Sequence, residues 1–141
     1  MIHKNPRKVP DSVVRNLDAY LEKSKDDKDV FLNFGIPNRE VWTFEDSWID
    51  FVVMGKCFTV ISININNSNK QISNNDYTIN SLYKLYKYAK YTRGCNKISF
   101  HTYRNHKAFC RLIEKVIKKH SKENKESVYK VKTSHEIEVK I

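Results

Sequence analysis

The chain has 141 residues, of which 40% are hydrophobic and 30% are charged. This size and composition fit one globular domain, so we expect residues 1–141 to fold as a unit. A disordered chain would be poorer in apolar residues, and no stretch approaches the roughly 18 consecutive apolar residues of a membrane-spanning helix. Three glycines, Gly35, Gly55 and Gly94, are too few for a glycine-rich nucleotide-binding loop.

The net charge of +10 is unevenly distributed along the chain. Residues 1–80 hold 10 Lys and Arg against 11 Asp and Glu, whereas residues 81–141 hold 16 against 5. Such an excess indicates either an anionic partner or a solvated basic surface. The three cysteines are an odd number, and the N-terminus lacks an apolar stretch of signal-peptide length. We therefore expect reduced thiols, a cytoplasmic location and no membrane association.

The N-terminal half shows the pattern of one helix followed by four strands. Asp11 or Ser12 is suited to cap a helix whose apolar positions repeat at helical spacing as far as Leu21. Short apolar runs then predict strands at residues 30–34, 41–44, 48–54 and 57–63. The polar connections between them are short, which favours an antiparallel meander. The last strand is apolar on both faces, so we expect it near the centre of the sheet.

The C-terminal half alternates helices and strands after a polar segment. Residues 64–77 are rich in asparagine and predict a flexible loop. A helix over residues 79–93, capped by Asp76 or Thr78, would bury Leu82, Leu85, Tyr86 and Ala89 and end at Gly94. A strand over residues 97–103 and a helix starting at Asn105 follow. Alternation within residues 127–141 predicts a terminal hairpin with its turn near Thr133.

The element order and one local sequence match a known superfamily over residues 57–117. The match consists of an apolar strand, a loop, a helix, a second strand and then Arg104-Asn105-His106-Lys107-Ala108-Phe109 at the start of another helix. This part resembles the GNAT N-acetyltransferases, and it is similar to the short, divergent GNAT-like proteins carried by tailed bacteriophages. The resemblance implies an α/β (α+β) fold with a mixed, mostly antiparallel sheet and helices on both faces. It also implies transfer of an acyl group from acetyl-CoA or another acyl-CoA to an amine.

The resemblance further implies where the coenzyme would bind. In the family the central strand splays from the next strand, and pantetheine pairs with the backbone in the gap. The residues that would hold it here are Val60, Ile61, Ser62 and Ile63, flanked by Asn105 and Phe109. The pyrophosphate would lie at residues 74–80, before the next helix, although no glycine occurs between Asn64 and Asn80.

The residue that protonates the departing thiolate is not given by the family pattern. The family often has a Tyr seven residues after its Asn, and this chain has Leu112 there. Titratable side chains near the proposed gap are therefore the candidates for the catalytic acid: Tyr103, His106 and Cys110. No spacing typical of a zinc site is present, so we predict no metal.

Two other functions remain open from the sequence. Tyrosines interleave with basic residues between Tyr83 and Arg93, a pattern that suits phosphate pairing and base stacking. The basic residues of this nucleic-acid hypothesis are Lys84, Lys87, Lys90, Arg93, Lys107 and Arg111. An acidic protein is another partner for the same surface. A third possibility is a catalytically inactive GNAT-like protein with a structural role, for example inside a virion.

Overall fold

The described residues form seven strands in one mixed sheet. A computed structural model describes residues 2–4, 18, 21–22, 38–101, 106–119, 128–131 and 136–141. The strands are β1 (Ile2–Lys4), β2 (Arg39–Phe44), β3 (Ser47–Met54), β4 (Cys57–Asn64), β5 (Lys97–His101), β6 (Val128–Val131) and β7 (Glu136–Lys140). Their order across the sheet is β1-β2-β3-β4-β5-β7-β6, with β4 and β5 parallel and the other neighbours antiparallel. The prediction of a mixed, mostly antiparallel sheet in an α+β protein is confirmed.

The predicted meander corresponds to β2, β3 and β4. Tight turns at residues 45–46 and 55–56 join these strands, and Gly55 has a φ of +61° that suits a residue without a Cβ atom. β4 lies between β3 and β5, in the middle of the sheet, as its apolar sequence predicted.

Two long helices are described, α1 (Asn74–Lys87) and α2 (His106–Lys119). α1 begins five residues before the predicted start, because Ser73 caps it by accepting a 3.1 Å hydrogen bond from the Asp76 backbone N–H. The predicted caps Asp76 and Thr78 are therefore wrong, and the last four residues of the predicted loop are helical. α1 continues into a π-helical turn, Tyr88–Thr92, and Gly94 follows with the predicted left-handed φ, at +67°.

Both described helices pack on the same face of the sheet. The predicted stripe of α1, Leu82, Leu85, Tyr86 and Ala89, is buried, and Ile113 and Val116 of α2 belong to the same core. Beneath α1, the rings of Phe51 and Phe58 stack at 4.3 Å. The prediction of helices on both faces depends on the N-terminal helix, most of which lies outside the described residues.

Some parts of the chain were not predicted or are not described. β1 pairs with β2, although no strand was predicted at residues 2–4, and β7 lies between β5 and β6. Asp18, Leu21 and Glu22 are helical, in agreement with the predicted first helix. The predicted strand at residues 30–34 and the turn near Thr133 lie outside the described residues.

We expect Phe58→Ala to destabilise the protein by about 3–5 kcal/mol, because it leaves a cavity beneath α1 where the Phe58 ring is fully buried against Phe51. The free energy of unfolding, measured by urea denaturation, tests this. Phe44→Ala is the control, since Phe44 is only partly buried and should cost less. Equal losses in the two variants would contradict the packing described here.

Candidate functional site

β4 changes its pairing at a single residue, Ile61. On the β3 side, Phe51 pairs with Val60 while the preceding Asp50 pairs with Ser62, so Ile61 has no opposite residue. On the β5 side, the described parallel pairing runs from Cys57↔Lys97 to Val60↔Phe100 and ends there. One extra residue in a strand is a β-bulge, which bends the strand and re-aims the side chains beyond it.

The bulge reverses the alternation of side chains along β4. Before it, Phe58 and Val60 belong to the core under the helices; after it, Ile63 packs against that same core. Ser62 instead shares the opposite face with Asp50 and Trp48. The bulge therefore allows one strand to present apolar residues to the helices along its whole length, and a hydroxyl group to the other face.

A buried polar network holds β4 just beyond this bulge, at Ser62. The Arg39 guanidinium donates two hydrogen bonds to the Asp50 carboxylate, Nε to Oδ1 at 2.8 Å and Nη2 to Oδ2. Ser62 Oγ donates to Asp50 Oδ2 at 3.3 Å, and the Trp48 indole N–H donates to Ser62 Oγ at 3.2 Å. Arg39 and Asp50 are each only 1% exposed. Burial raises the pKa of Asp50, and the bonds from Arg39 and Ser62 oppose that rise.

An aromatic pair lies beside the end of the parallel pairing. Phe100, the last β5 residue paired with β4, meets Phe109 of α2 edge to face at 5.0 Å between ring centroids. Phe109 is partly buried and Phe100 nearly fully buried. The predicted coenzyme residues Val60, Ile61, Ser62 and Ile63 thus span the bulge, and Phe109 contacts Phe100, the β5 partner of Val60.

The candidates for the catalytic acid are placed differently. Cys110 is buried in the core, and burial, followed by the charge of Glu114, raises the pKa of its thiol. A thiol enclosed by apolar side chains is poorly placed to meet a substrate. His106 is the first residue of α2, and Tyr103 and Asn105 lie outside the described residues.

The predicted pyrophosphate position needs correction. Residues 74–80 are helical, so the loop before the helix N-terminus is residues 65–73. Asparagine side chains engage the backbone of this loop: the N–H of Asn69 donates to Asn67 Oδ1 at 2.8 Å, and that of Gln71 donates to Asn69 Oδ1 at 3.0 Å. These two backbone donors are therefore occupied within the loop.

The six residues of the nucleic-acid hypothesis fall into two groups. The exposed group is Lys84, Lys87, Lys107 and Arg111, on the outer faces of the two helices. The engaged group is Lys90, whose Nζ donates to the Tyr86 hydroxyl at 3.0 Å, and Arg93, which pairs with Glu40 at 2.7 Å. Arg93 also donates to the Tyr88 hydroxyl at 3.2 Å, so it ties the π-helical turn to β2. Its charge is used inside the fold.

Sequence reasoning missed the network of Arg39, Trp48, Asp50 and Ser62 as a unit. One signal for it was available, because Asp50 stands between Ile49 and Phe51 in an apolar strand, where a carboxylate needs a buried partner. The sequence does not show which strand supplies that partner.

Comparison of the chain with protein-family models, with curated proteins and with solved structures found no match. Within the described residues, no helix is long and apolar enough to cross a membrane, and no three His, Cys, Asp or Glu side chains group as metal ligands would.

We expect Asp50→Ala to destabilise the protein by about 3–5 kcal/mol, because it leaves the buried Arg39 charge without this counter-charge. The double variant Arg39→Met/Asp50→Leu should lose much less than the two single variants together, since both charges are removed. Urea denaturation provides the measurement. Asp46→Ala, at an exposed turn, is the control, and an Asp50→Ala loss as small as this control would refute the structural role of the pair.

We expect iodoacetamide to label Cys57 before Cys95 and Cys110 in the folded protein. Burial raises the pKa of both Cys95 and Cys110, which lowers the fraction of reactive thiolate, whereas Cys57 is only partly buried. Mass spectrometry of peptides after timed labelling at pH 8 measures the order. In denaturant the three cysteines should react alike; early labelling of Cys110 in the native state would place that thiol at an accessible site.

Proposed function

We propose that this chain is a GNAT-like acyltransferase that holds acyl-CoA beside β4, where the pairing with β5 ends. The observation that carries the proposal is the coincidence, at Val60 and Ile61, of the bulge and the end of the parallel pairing among the described residues. The sequence resemblance puts the pantetheine at these residues. A strand that diverges from its neighbour has backbone N–H and C=O groups directed towards the gap, and these suit the two amides of pantetheine.

The neighbouring side chains support the same proposal. The ring of Phe109 and the apolar side chains of Ile61 and Ile63 suit the aliphatic part of the pantetheine arm. The network of Arg39, Asp50 and Ser62 would act as the support of this site, because it ties β4 to β3 immediately beyond the bulge. Rigid support matters because ordering a flexible backbone on binding costs conformational entropy, and this cost lowers the affinity for the ligand.

The reaction would be direct transfer. An amine nitrogen attacks the thioester carbonyl carbon, the C–N bond forms, and the C–S bond then breaks. The amine gives up a proton to water or to a base, and the coenzyme thiolate takes a proton from an acid. Tyr103 and His106 are the residues that we propose for this acid, since Cys110 is enclosed in the core.

The loop over residues 65–73 makes the proposed coenzyme site a weakened one. It contains no glycine, and two of its backbone N–H groups are bonded to asparagine side chains. A pyrophosphate would have to displace those bonds or rely on the remaining donors. We therefore expect acyl-CoA to be held mainly through its pantetheine arm and only weakly through its phosphates.

Thermal unfolding with and without millimolar acetyl-CoA tests this function. A ligand at 100 times its dissociation constant adds about 2.7 kcal/mol, which moves the midpoint by several degrees for a domain of this size. We expect acetyl-CoA and coenzyme A to raise the midpoint, and a nucleotide of equal charge to raise it less. The same rise with any polyanion, or none with acetyl-CoA, would overturn the proposal.

Ser62→Ala and Ser99→Ala form a matched pair for the same experiment. Both serines are buried, but Ser62 lies beyond the bulge and bonds to Asp50, whereas Ser99 lies opposite Thr59 in the regular part of the β4–β5 pairing. The acetyl-CoA shift should fall in Ser62→Ala and persist in Ser99→Ala. Equal shifts in the two variants would show that the bulge does not form the site.

A further inference from the structure

A groove runs along α1, and its lining includes no residue of β4 or β5. It has a volume of about 400 Å³ and lies between α1, the loop before it and the end of β2. Its lining includes three aromatic rings, those of Phe44, Tyr77 and Tyr83, together with the amide of Asn80. This volume is within the range of small-molecule sites, and the combination of flat rings with amides suits a nucleobase.

Two lysines stand on the rim of this groove. Lys84 and Lys87 both line it and are both exposed, and Lys87 Nζ lies 4.8 Å from the centroid of the Tyr83 ring. A cation beside an aromatic ring can pair with a phosphate while the ring contacts the adjoining base. The groove therefore offers both kinds of contact that a nucleotide unit requires.

The positive charge continues from α1 onto α2. Lys119 Nζ donates to Asn80 Oδ1 at 3.3 Å, so the C-terminal end of α2 reaches the lining of the groove. Together the two helices hold seven Lys or Arg, all exposed, and two acidic residues. The basic residues are Lys84, Lys87, Lys107, Arg111, Lys115, Lys118 and Lys119. A 14-residue helix is about 20 Å long, so these cations extend well beyond one nucleotide.

The acidic groups near the groove lie towards its other end. Glu45 accepts a 3.2 Å hydrogen bond from the Tyr77 hydroxyl, and Asp76 lies in the first turn of α1. Lys84 and Lys87 are in the last turn of the helix. The groove therefore has an acidic end and a basic end, and Asn80, which Lys119 of α2 contacts, lies between them.

We propose that the α1 groove and the basic outer faces of α1 and α2 bind single-stranded nucleic acid. One base enters the groove against the aromatic rings, and the neighbouring phosphates pair with Lys84 and Lys87. The strand then continues over Lys119 onto α2. A duplex does not fit this arrangement, because its bases are paired and cannot enter a groove as single units. This binding is separate from the proposed coenzyme site, which uses the backbone of β4.

Fluorescence anisotropy with a labelled 15-nucleotide single strand tests the proposal at several salt concentrations. Each phosphate contact contributes about 0.7 to the slope of log affinity against log salt for a single strand. Lys84→Gln/Lys87→Gln should therefore bind more weakly and lower that slope by about 1.4. Lys56→Gln/Lys140→Gln removes the same charge from exposed positions on the strands and their turns and should bind as the unmodified protein does.

Tyr83→Leu tests the aromatic contact separately from the charge. Loss of one contact between a base and an aromatic ring should weaken binding of the oligonucleotide about tenfold. The salt slope should not change, because no charge is removed. Affinity for heparin, a polyanion without bases, should stay the same in this variant. Circular dichroism and the unfolding midpoint, recorded for each variant, show whether it is folded.

Three results would overturn the proposal. The first is equal loss of affinity in the two double-lysine variants, which would mean attraction by net charge alone. The second is unchanged affinity in folded Tyr83→Leu. The third is tighter binding to vesicles of anionic lipid than to the oligonucleotide, with the same dependence on Lys84 and Lys87. Failure here leaves the acetyl-CoA experiment unaffected, because its comparison of Ser62→Ala with Ser99→Ala reads the response of the β4 site.

Discussion

The hydrogen bond between Ser62 and the buried Asp50 is the contact on which the middle of the sheet depends. It holds β4 in register beyond the extra residue at Ile61, and Arg39 supplies the charge that makes a buried carboxylate tolerable. Without the bulge, strict alternation would direct Ser62 at the helices, among the side chains of the core. Three adjacent strands, β2, β3 and β4, contribute to the network, so it fixes their relative register as well as one local bend.

The basic residues of the C-terminal part divide into a structural group and an accessible group. This division says more than the net charge does about where the protein attracts anions. Arg93 pairs with Glu40 and Lys97 with Glu138, so these two cations link separate elements of the fold. Among the residues of this part whose exposure is described, seven of the eight exposed cations instead lie along α1 and α2, which contact each other on one face of the sheet. Charge that an ion pair neutralises inside the fold contributes little to the field outside, so within the described residues the outer surface of the helices carries most of the accessible positive charge of this part.

Sequence patterns were sufficient where one local period decided the structure. The apolar runs of β3 and β4 and the stripe from Leu82 to Ala89 specify a strand or a helix within a few residues. Three features could not be predicted from a short stretch of sequence. β1 has only three residues, the position of β7 is a choice between distant partners, and the bulge at Ile61 is one extra residue in an otherwise regular strand. The early start of α1 had a local signal, Ser73 followed by Asp76, which the many neighbouring asparagines obscured.

The two proposed sites differ in what the sequence has to preserve. A gap beside β4 uses backbone groups, so it survives as long as the bulge and its buried supports remain, whatever side chains cover the surface. A groove along α1 uses the rings and cations themselves, and single substitutions remove them. The loop over residues 65–73 combines both features, because its donors are backbone groups but asparagine side chains bond to two of them. Because two loop donors are bonded to asparagine side chains while the lysines on the outer faces of the helices are exposed, we expect phosphate groups to bind at the helix surface rather than at the loop.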